Sequence, residues 1–255
     1  MFFVLNKEKI CTYILSLTVV IGLLGSANYY IKNNAVETNA KNQKILPIYS
    51  VKREDNKIAF TMNCAWNDDD IDEILKVLKE NNTYITFFVV GDWAEKYKES
   101  LKKIYDAGHE IGCHSNTHPH VNKLSYEDNA KQINDGVEKI KEITGEATKL
   151  YRTPYGEYNN TVINAAEKNG YYTIQWNLDT LDYTGLTGEE MWKRLNGKIQ
   201  KGSIILSHNG TKYTASSLDM IIKNIKKEGF DIVKVSDLIY KENYNINNQG
   251  IQISK

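Results

Sequence analysis

The stretch EIGCHSNTHPH, residues 110–120, places a pair of histidines directly after a predicted β-strand. His114 and His118 lie four residues apart, so their imidazoles can converge on one divalent metal ion and keep the other ring nitrogen for a hydrogen bond. The same spacing also occurs on exposed helices and loops that bind nothing. The pair therefore predicts a metal site only together with other polar residues that the fold brings beside it.

Length and charge limit the class of protein. The chain has 255 residues, of which 41% are hydrophobic and 25% are charged, which suits one α/β domain with a sizeable core. Its 32 basic and 32 acidic residues give a formal net charge of zero, and no basic cluster stands out. Nucleic acid is therefore excluded as the expected partner, because phosphate binding needs clustered lysines and arginines.

The first 34 residues differ in kind from the rest. Lys7 and Lys9 precede an uncharged, apolar run from Ile10 to Ala27, which is typical of a signal peptide or a short membrane-spanning helix. An uncleaved membrane anchor is the favoured interpretation, and secretion to the cell wall is the other. In both, the remainder of the chain is exported. We expect a linker at 35–44, a folded domain at 45–240 and a polar C-terminal tail at 241–255.

Short strands and helices alternate through the predicted domain. Helical spacing of apolar residues is clearest at Ile71, Ile74, Leu75 and Leu78 and at Leu218, Ile221, Ile222 and Ile225. Thr187 and Glu190 fit a capping box at the start of another helix. The strand candidates are Lys57 to Asn63, Tyr84 to Val90, Glu110 to Cys113, Lys149 to Arg152, Tyr171 to Leu178, Ser203 to Ser207 and Asp231 to Val233.

This alternation predicts a parallel sheet with crossover helices, and about seven strands favour a closed α/β barrel over an open sheet. In a barrel the carboxyl ends of the strands gather at one rim. Unusual polar segments follow several predicted strands: Asn63 to Asp70, His114 to His118, Arg152 to Gly156, Asp179 to Tyr183, and Ser207 with His208. We therefore expect these segments to form one site.

The ordered series of segments resembles the NodB-like polysaccharide deacetylases, carbohydrate esterase family 4. The resemblance extends from about Ile58 to Tyr240 and is greatest for the sporulation-type deacetylases of clostridia and bacilli. It implies a distorted NodB/TIM-like (β/α) barrel, here preceded by an N-terminal hydrophobic helix. It also implies a hydrolase that removes N-acetyl groups from an extracellular glycan.

Carried over residue by residue, the resemblance implies a role for each rim residue. His114 and His118 would bind a divalent metal, zinc by preference. Arg152 would orient the catalytic base, Asp179 would hold Arg152 through a charge-assisted pair, and His208 would protonate the leaving amine. The substrate-binding group would be the backbone N–H of Tyr155, the side chain of Leu206, Trp66 beside the rim, and Tyr183 as an aromatic wall.

The first motif departs from the family pattern. Most members read TFDDG, with the first aspartate as general base and the second as metal ligand, whereas this chain reads TMNCA at 61–65. Asn63 stands at the base position, and an amide does not accept a proton at neutral pH. Cys64 stands at the ligand position, and its thiolate is a possible zinc ligand.

Three explanations of this change stay open. In the first, Cys64 completes a Cys-His-His zinc site and Asp68, Asp69 or Asp70 supplies the base. In the second, one of these aspartates is the third ligand and Cys64 is only a small buried residue. In the third, hydrolysis is lost and glycan binding is kept. The leading hypothesis is a metal-dependent N-deacetylase of cell-wall glycan with His208 as general acid. The alternative is a catalytically impaired, glycan-binding pseudoenzyme. A disulfide between Cys64 and Cys113 is conceivable, but it would remove Cys64 as a ligand, and the position of Cys113 next to His114 indicates that it points to the opposite face of its strand.

Overall fold

The structure is a computed structural model that describes residues 7–42 and 44–255. Its helices are Lys7–Asn42 (α1), Ile71–Glu80 (α2), Gly91–Lys96 (α3), Lys98–Asp106 (α4), Tyr126–Thr144 (α5), Asn160–Lys168 (α6), Gly188–Leu195 (α7), Thr214–Lys227 (α8) and Val235–Leu238 (α9). Its strands are Ser50–Val51 (β1), Lys57–Cys64 (β2), Thr86–Val89 (β3), Glu110–Cys113 (β4), Leu150–Tyr151 (β5), Tyr172–Thr173 (β6), Leu178–Asp179 (β7), Ile204–His208 (β8), Asp231–Ile232 (β9), Tyr244–Ile246 (β10) and Ile251–Ser254 (β11).

Seven parallel strands form the central sheet in the order β6-β5-β4-β3-β2-β8-β7, and β9 pairs with the start of β2. The helices between them provide the crossovers that parallel strands require. The predicted α/β fold with about seven strands in a distorted barrel is therefore confirmed. All the strands of this sheet run in one direction, so their carboxyl ends meet at one rim.

Side chains of β2 alternate between the two faces of the sheet. Ile58, Phe60, Met62 and Cys64 pack in the core between the sheet and the helices, while Ala59 packs with Phe88 and other residues inside the barrel. The helices present the apolar spacing that the sequence predicts: Ile71, Ile74 and Leu78 are buried in α2, and Leu218, Ile221, Ile222 and Ile225 in α8. Each such side chain contributes about 1.5–3 kcal/mol when fully buried.

The capping box at the start of α7 is confirmed. The side chain of Thr187 accepts a hydrogen bond from the Glu190 N–H, and the Glu190 carboxylate accepts one from the Thr187 N–H at 2.8 Å. This reciprocal pair satisfies backbone donors that have no partner within the helix. The cap fixes where α7 begins, directly after the 3-10 turn Asp182–Thr184 that belongs to the rim.

The predicted strand from Tyr171 to Leu178 is split in two. β6 pairs with β5 at one end of the sheet and β7 pairs with β8 at the other, and residues 174–177 cross between them. A polar side chain of this crossing segment connects it to β8, because Asn177 accepts a hydrogen bond from the Ile204 N–H and donates one to Ser203 Oγ. Ile48 bridges to Ile174 and Ser50 to Ser203, so the chain before β2 also contacts the segment that follows β6 and the start of β8.

The segment 241–255 was expected to be a polar tail, but it forms β10 and β11. These strands pair with each other, and β11 pairs with β1 in a separate three-stranded sheet. Gln252 is fully buried, accepts from the Tyr240 N–H at 2.8 Å and donates to its carbonyl at 2.7 Å. This polar segment is thus part of a sheet, and the buried side chain of Gln252 pairs with the backbone of Tyr240.

Helix α1 belongs to one compact unit and residues 45–255 to another. The expected N-terminal segment 1–34 and linker 35–44 include residues 1–6 and 43, which lie outside the described part of the chain. Residues 35–42, expected as a linker, continue α1. Within residues 7–42 and 44–255, no helix is both long enough and apolar enough to cross a membrane.

Candidate active site

The rim of the barrel brings together most of the polar residues that the sequence singled out. Asn63 is the second-to-last residue of β2 and lies in register with His208 at the end of β8, while His114 and Arg152 directly follow β4 and β5. Leu206, in register with Thr61 and Asp179, is buried beneath this level. Residues that are far apart in the chain therefore meet because their strands are parallel and end together.

The carboxamide of Asn63 bridges Arg152 and His114. Its Oδ1 accepts from Arg152 Nη1 at 3.0 Å, and its Nδ2 lies 3.3 Å from His114 Nε2. His114 Nδ1 lies 2.9 Å from the carbonyl oxygen of Arg152, which can only accept, so Nδ1 carries the proton. The lone pair of His114 is then on Nε2, where it accepts the Asn63 amide hydrogen.

Both histidines of the pair are held as neutral imidazoles. His114 is 2% exposed, and burial lowers its pKa well below the usual range, with His118 acting in the same direction. Burial also lowers the pKa of His118. The two ring centroids are 4.9 Å apart, and His118 sits in a left-handed turn, φ 57°, in which its N–H donates to Ser115 Oγ. The turn is what directs the two imidazoles to one place.

The expected third metal ligand does not lie with this pair. Cys64 is fully buried in the core on the helix side of β2, opposite to Asn63, and burial raises the pKa of its thiol well above the usual value. Asp68 accepts from Ser100 Oγ, Asp69 from Asn67 Nδ2, and Asp70 from the Gly210 N–H. Alternation along β2 thus removes Cys64 from the site, and local hydrogen bonds occupy the three aspartates.

These observations decide how well the residues fit a metal ion. Across residues 7–42 and 44–255, no group of three or more His, Cys, Asp or Glu side chains is placed to hold a metal. Two imidazoles are present, and the lone pair of one accepts a hydrogen bond from Asn63. The donor set therefore does not fit the three-ligand metal site that the sequence predicts.

Arg152 is fully buried and has neutral hydrogen-bond partners in place of the expected Asp179. Its guanidinium donates to Thr61 Oγ1 at 2.9 Å, to Asn63 and to the carbonyls of Ile174 and Gln175, and it stacks on the Phe88 ring at 4.0 Å. Asp179 Oδ1 accepts from the Leu181 N–H at 2.8 Å. The predicted pair of Arg152 and Asp179 does not form a direct hydrogen bond, because backbone carbonyls of the crossing segment 174–177 accept from the guanidinium instead.

Burial of this guanidinium carries an electrostatic cost. It lowers the pKa of Arg152, and the negative charge of Asp179 acts in the opposite direction without a direct contact. Burial in turn raises the pKa of Asp179. The arginine keeps its proton at neutral pH. Its positive charge is therefore stabilised by the distant carboxylate of Asp179 and by the neutral oxygen atoms that accept its hydrogen bonds.

Asp182 is a site residue that the sequence analysis missed. Its carboxylate lies 2.8 Å from His208 Nδ1 and accepts from the His208 N–H and from Thr214 Oγ1. The side chain is buried, so it fixes the imidazole of His208 with Nδ1 toward the protein and Nε2 toward the rim. The sequence offers a signal for it, because the segment DTLD at 179–182 holds two aspartates, of which only Asp179 was given a role, that of holding Arg152.

Exposed aromatic rings surround His208 and the histidine pair. Trp66 stacks on the His208 ring with centroids 5.4 Å apart, and Tyr183 meets it edge-on at 5.3 Å. Tyr155 follows Pro154 in a 3-10 turn with a left-handed φ of 57° and contacts His118 at 4.5 Å. Trp66, Tyr155 and Tyr183 are all about half exposed. The rim therefore presents two aromatic walls, one at His208 and one at His118.

Comparison with known proteins places this chain in a family. A sequence profile described as polysaccharide deacetylase matches residues 50–174. The uncharacterized protein YlxY of Bacillus subtilis is 32% identical over 193 residues, which cover 76% of this chain and 60% of YlxY. A peptidoglycan-N-acetylglucosamine deacetylase of Bacillus cereus is 30% identical over 186 residues, which cover 71% of this chain and 68% of that protein.

Solved structures agree with the sequence comparison. A carbohydrate esterase family 4 pseudoenzyme from Bacillus anthracis superimposes with a TM-score of 0.73 and 29% identity, over 78% of this chain and 70% of that one. A mutant of the same pseudoenzyme with restored enzymatic activity matches equally well. The resemblance inferred from the ordered motifs is thus confirmed: this chain belongs to the polysaccharide deacetylase family, carbohydrate esterase family 4.

Proposed function

We propose that this protein binds N-acetylated glycan of the cell wall at the rim of its barrel and hydrolyses the acetamide groups slowly. The rate of hydrolysis is expected to be lower than that of a family member that has an aspartate at both positions of the first motif. The proposal rests on the Asn63 carboxamide, which stands where the base is expected and is engaged by Arg152 and His114. The names of the relatives, peptidoglycan deacetylases among them, support cell-wall glycan as the ligand class.

Turnover is expected to be impaired for two reasons. An amide does not accept the proton of an attacking water, and a general base contributes about 100- to 10,000-fold to such a reaction. In addition, no third ligand lies beside the histidine pair among residues 7–42 and 44–255, so we expect zinc to bind weakly. Glycan binding needs neither feature, because sugar rings pack on exposed aromatic side chains such as Trp66, Tyr155 and Tyr183.

A second candidate is an active N-deacetylase with a rearranged site. It is favoured by the buried pair of Asp182 and His208, whose geometry suits a general acid for the leaving amine. A chain that only binds glycan has no evident need for a histidine oriented by a buried carboxylate. Under both candidates the ligand is the same, and the difference lies in the rate of acetate release.

Action at the cell wall requires export, which we assign to the N-terminal segment 1–34. The protein is then either secreted to the wall or held at the membrane by that segment. Fractionation of cells into medium, wall and membrane, followed by N-terminal sequencing of the recovered protein, distinguishes the two. Recovery of the uncleaved chain from the cytoplasm alone would contradict export.

The function is tested with the purified protein, chitin oligomers and peptidoglycan fragments. Calorimetry measures the dissociation constant of each glycan, and an enzymatic acetate assay with added Zn²⁺ or Co²⁺ measures turnover. We expect binding together with slow or undetectable acetate release. Absence of glycan binding would refute the proposal, and rapid acetate release that a His208→Ala variant abolishes would establish the second candidate.

A further inference from the structure

The ring of Tyr155 is enclosed by two histidines of the loop that follows β4. His120 stacks on Tyr155 almost in parallel, with centroids 4.5 Å apart and an angle of 18°. His118 meets the same ring edge-on, also at 4.5 Å and at an angle of 68°. The contact therefore joins the loop after β4 to the loop after β5 at the edge of the histidine pair.

A carboxylate closes this contact into a ring of interactions. Glu157 lies two residues beyond Tyr155, and its Oε1 is 2.8 Å from His120 Nδ1. The imidazole of His120 is thus held on one side by Glu157 and stacked on the other side against Tyr155. Its side chain is 52% exposed, so burial does not explain why it adopts this position.

The residues that carry the site on these two loops have an unfavourable backbone conformation. Tyr155, His118 and Ser115 are all left-handed, with φ of 57°, 57° and 67°. Such conformations are costly for residues other than glycine and persist only where surrounding contacts determine them. The interactions of His120 with Tyr155 and Glu157 are contacts of this kind, since they connect the two strained turns directly.

We propose that His120 and Glu157 are positioning residues that hold the Tyr155 ring as one wall of the glycan site. They act through Tyr155, and the inference rests on glycan binding as the proposed function. Trp66 and Tyr183 form the opposite wall at His208. A pyranose ring of the N-acetylated glycan packs between the two walls, and its affinity depends on a Tyr155 ring that is held in place before binding.

The test compares variants that differ only in this clamp. His120→Ala removes the stack, whereas His120→Phe keeps an aromatic ring on Tyr155. Glu157→Ala removes the acceptor, whereas Glu157→Gln keeps an oxygen for His120. We expect the two alanine variants to bind chitin oligomers roughly 3- to 10-fold more weakly, in the range of one aromatic contact, and Glu157→Gln to bind within about 2-fold of the wild type. His120→Phe keeps the stack but loses the contact with Glu157, so its affinity should lie between those of His120→Ala and the wild type.

A double-mutant cycle separates positioning from a general structural effect. If His120 acts through Tyr155, then His120→Ala adds no further loss of affinity in a Tyr155→Ala background. Equal and independent losses, or unchanged affinity in the His120→Ala and Glu157→Ala variants, would overturn the inference. A thermal unfolding midpoint close to that of the wild type is the control for each variant.

Hydrogen exchange gives a readout that does not depend on glycan. Amide exchange in the peptide around Tyr155 is expected to become faster in His120→Ala and to be slower in His120→Phe than in His120→Ala, because the phenylalanine keeps the stack on Tyr155. If the wild type binds no glycan, the proposed function fails, and an exchange rate that His120→Ala leaves unchanged would refute the clamp separately. Faster exchange with intact glycan affinity would show a clamp that does not serve binding, which also overturns the inference.

Discussion

The substitution Asn63→Asp tests the central argument about this site. It replaces a neutral amide by a carboxylate at a point 3.0 Å from the guanidinium of the fully buried Arg152. At an effective dielectric constant of about 20, attraction at this distance is worth about 5 kcal/mol. Taking the carboxylate out of water costs several kcal/mol, so we expect the free energy of unfolding to change by no more than about 2 kcal/mol.

The effect on the site is larger than the effect on stability. The atom that faces His114 Nε2 at 3.3 Å changes from a donor to an acceptor, so the Nε2 lone pair loses its hydrogen bond. The new carboxylate can also accept a proton from water. Since a general base contributes about 100- to 10,000-fold, acetate release should rise by at least about 100-fold over the wild type.

The assay is acetate release from chitin oligomers and peptidoglycan fragments with added Zn²⁺ or Co²⁺. Asn63→Ala serves as the matched control, because it removes the bridging amide without supplying a base, and it should show no gain. Asn63→Asp with His208→Ala should lose the gain. A folded Asn63→Asp protein that releases acetate no faster than the wild type would refute the assignment of Asn63 as the position that limits turnover.

Three further predictions follow from the described contacts. Cys64→Asp would place a carboxylate in the apolar core and should lower the free energy of unfolding by about 3 kcal/mol or more. Unchanged stability in urea, together with tighter zinc binding, would contradict this and place residue 64 in the site. In the Asn63→Asp background, Asp182→Asn should reduce acetate release by about 10- to 100-fold while glycan affinity stays the same, because the charged acceptor of His208 Nδ1 is lost. Burial and the charge of Lys234 lower the pKa of His109 to about 4, from an unfolded value of about 6.5. The unfolded state therefore binds more protons between these values, so this contribution to stability is full above about pH 6.5 and is lost as the pH falls toward 4, by on the order of 3 kcal/mol. Urea unfolding of the wild type and of His109→Asn at several pH values measures it, and equal pH dependence of both proteins would contradict it.

Much of the site could be foreseen because its residues follow predicted strands. His114, Arg152 and His208 stand at or just beyond the ends of β4, β5 and β8, and parallel strands bring such positions to one rim whatever the details of packing. The absence of a carboxylate at position 63 is likewise visible in the chain. Local periodicity also predicted α2, α7 and α8, since the spacing of apolar residues and a capping box act over a few residues.

Other features depended on contacts between distant residues. Asp182 binds the rim histidine His208, because the left-handed turn at Leu181 directs this second aspartate of the segment toward β8. The split of the segment Tyr171 to Leu178 required pairing partners at both edges of the sheet. The C-terminal hairpin formed where a polar composition suggested a tail, because β11 pairs with β1, which lies some 200 residues earlier.

The sequence by itself determined the parallel α/β barrel, the order of the rim segments and the replacement of two aspartates by Asn63 and Cys64. Only the tertiary structure decided what those two residues do. Adjacent residues of a strand point to opposite faces, so one of them reaches the site and the other enters the core. The register of β2 between β3 and β8 sends the Asn63 amide to Arg152 and His114, which are 89 and 51 residues away in the chain. No local pattern contains that register, and it is the register that brings the Asn63 amide, in place of a carboxylate base, into hydrogen bonds with Arg152 and His114.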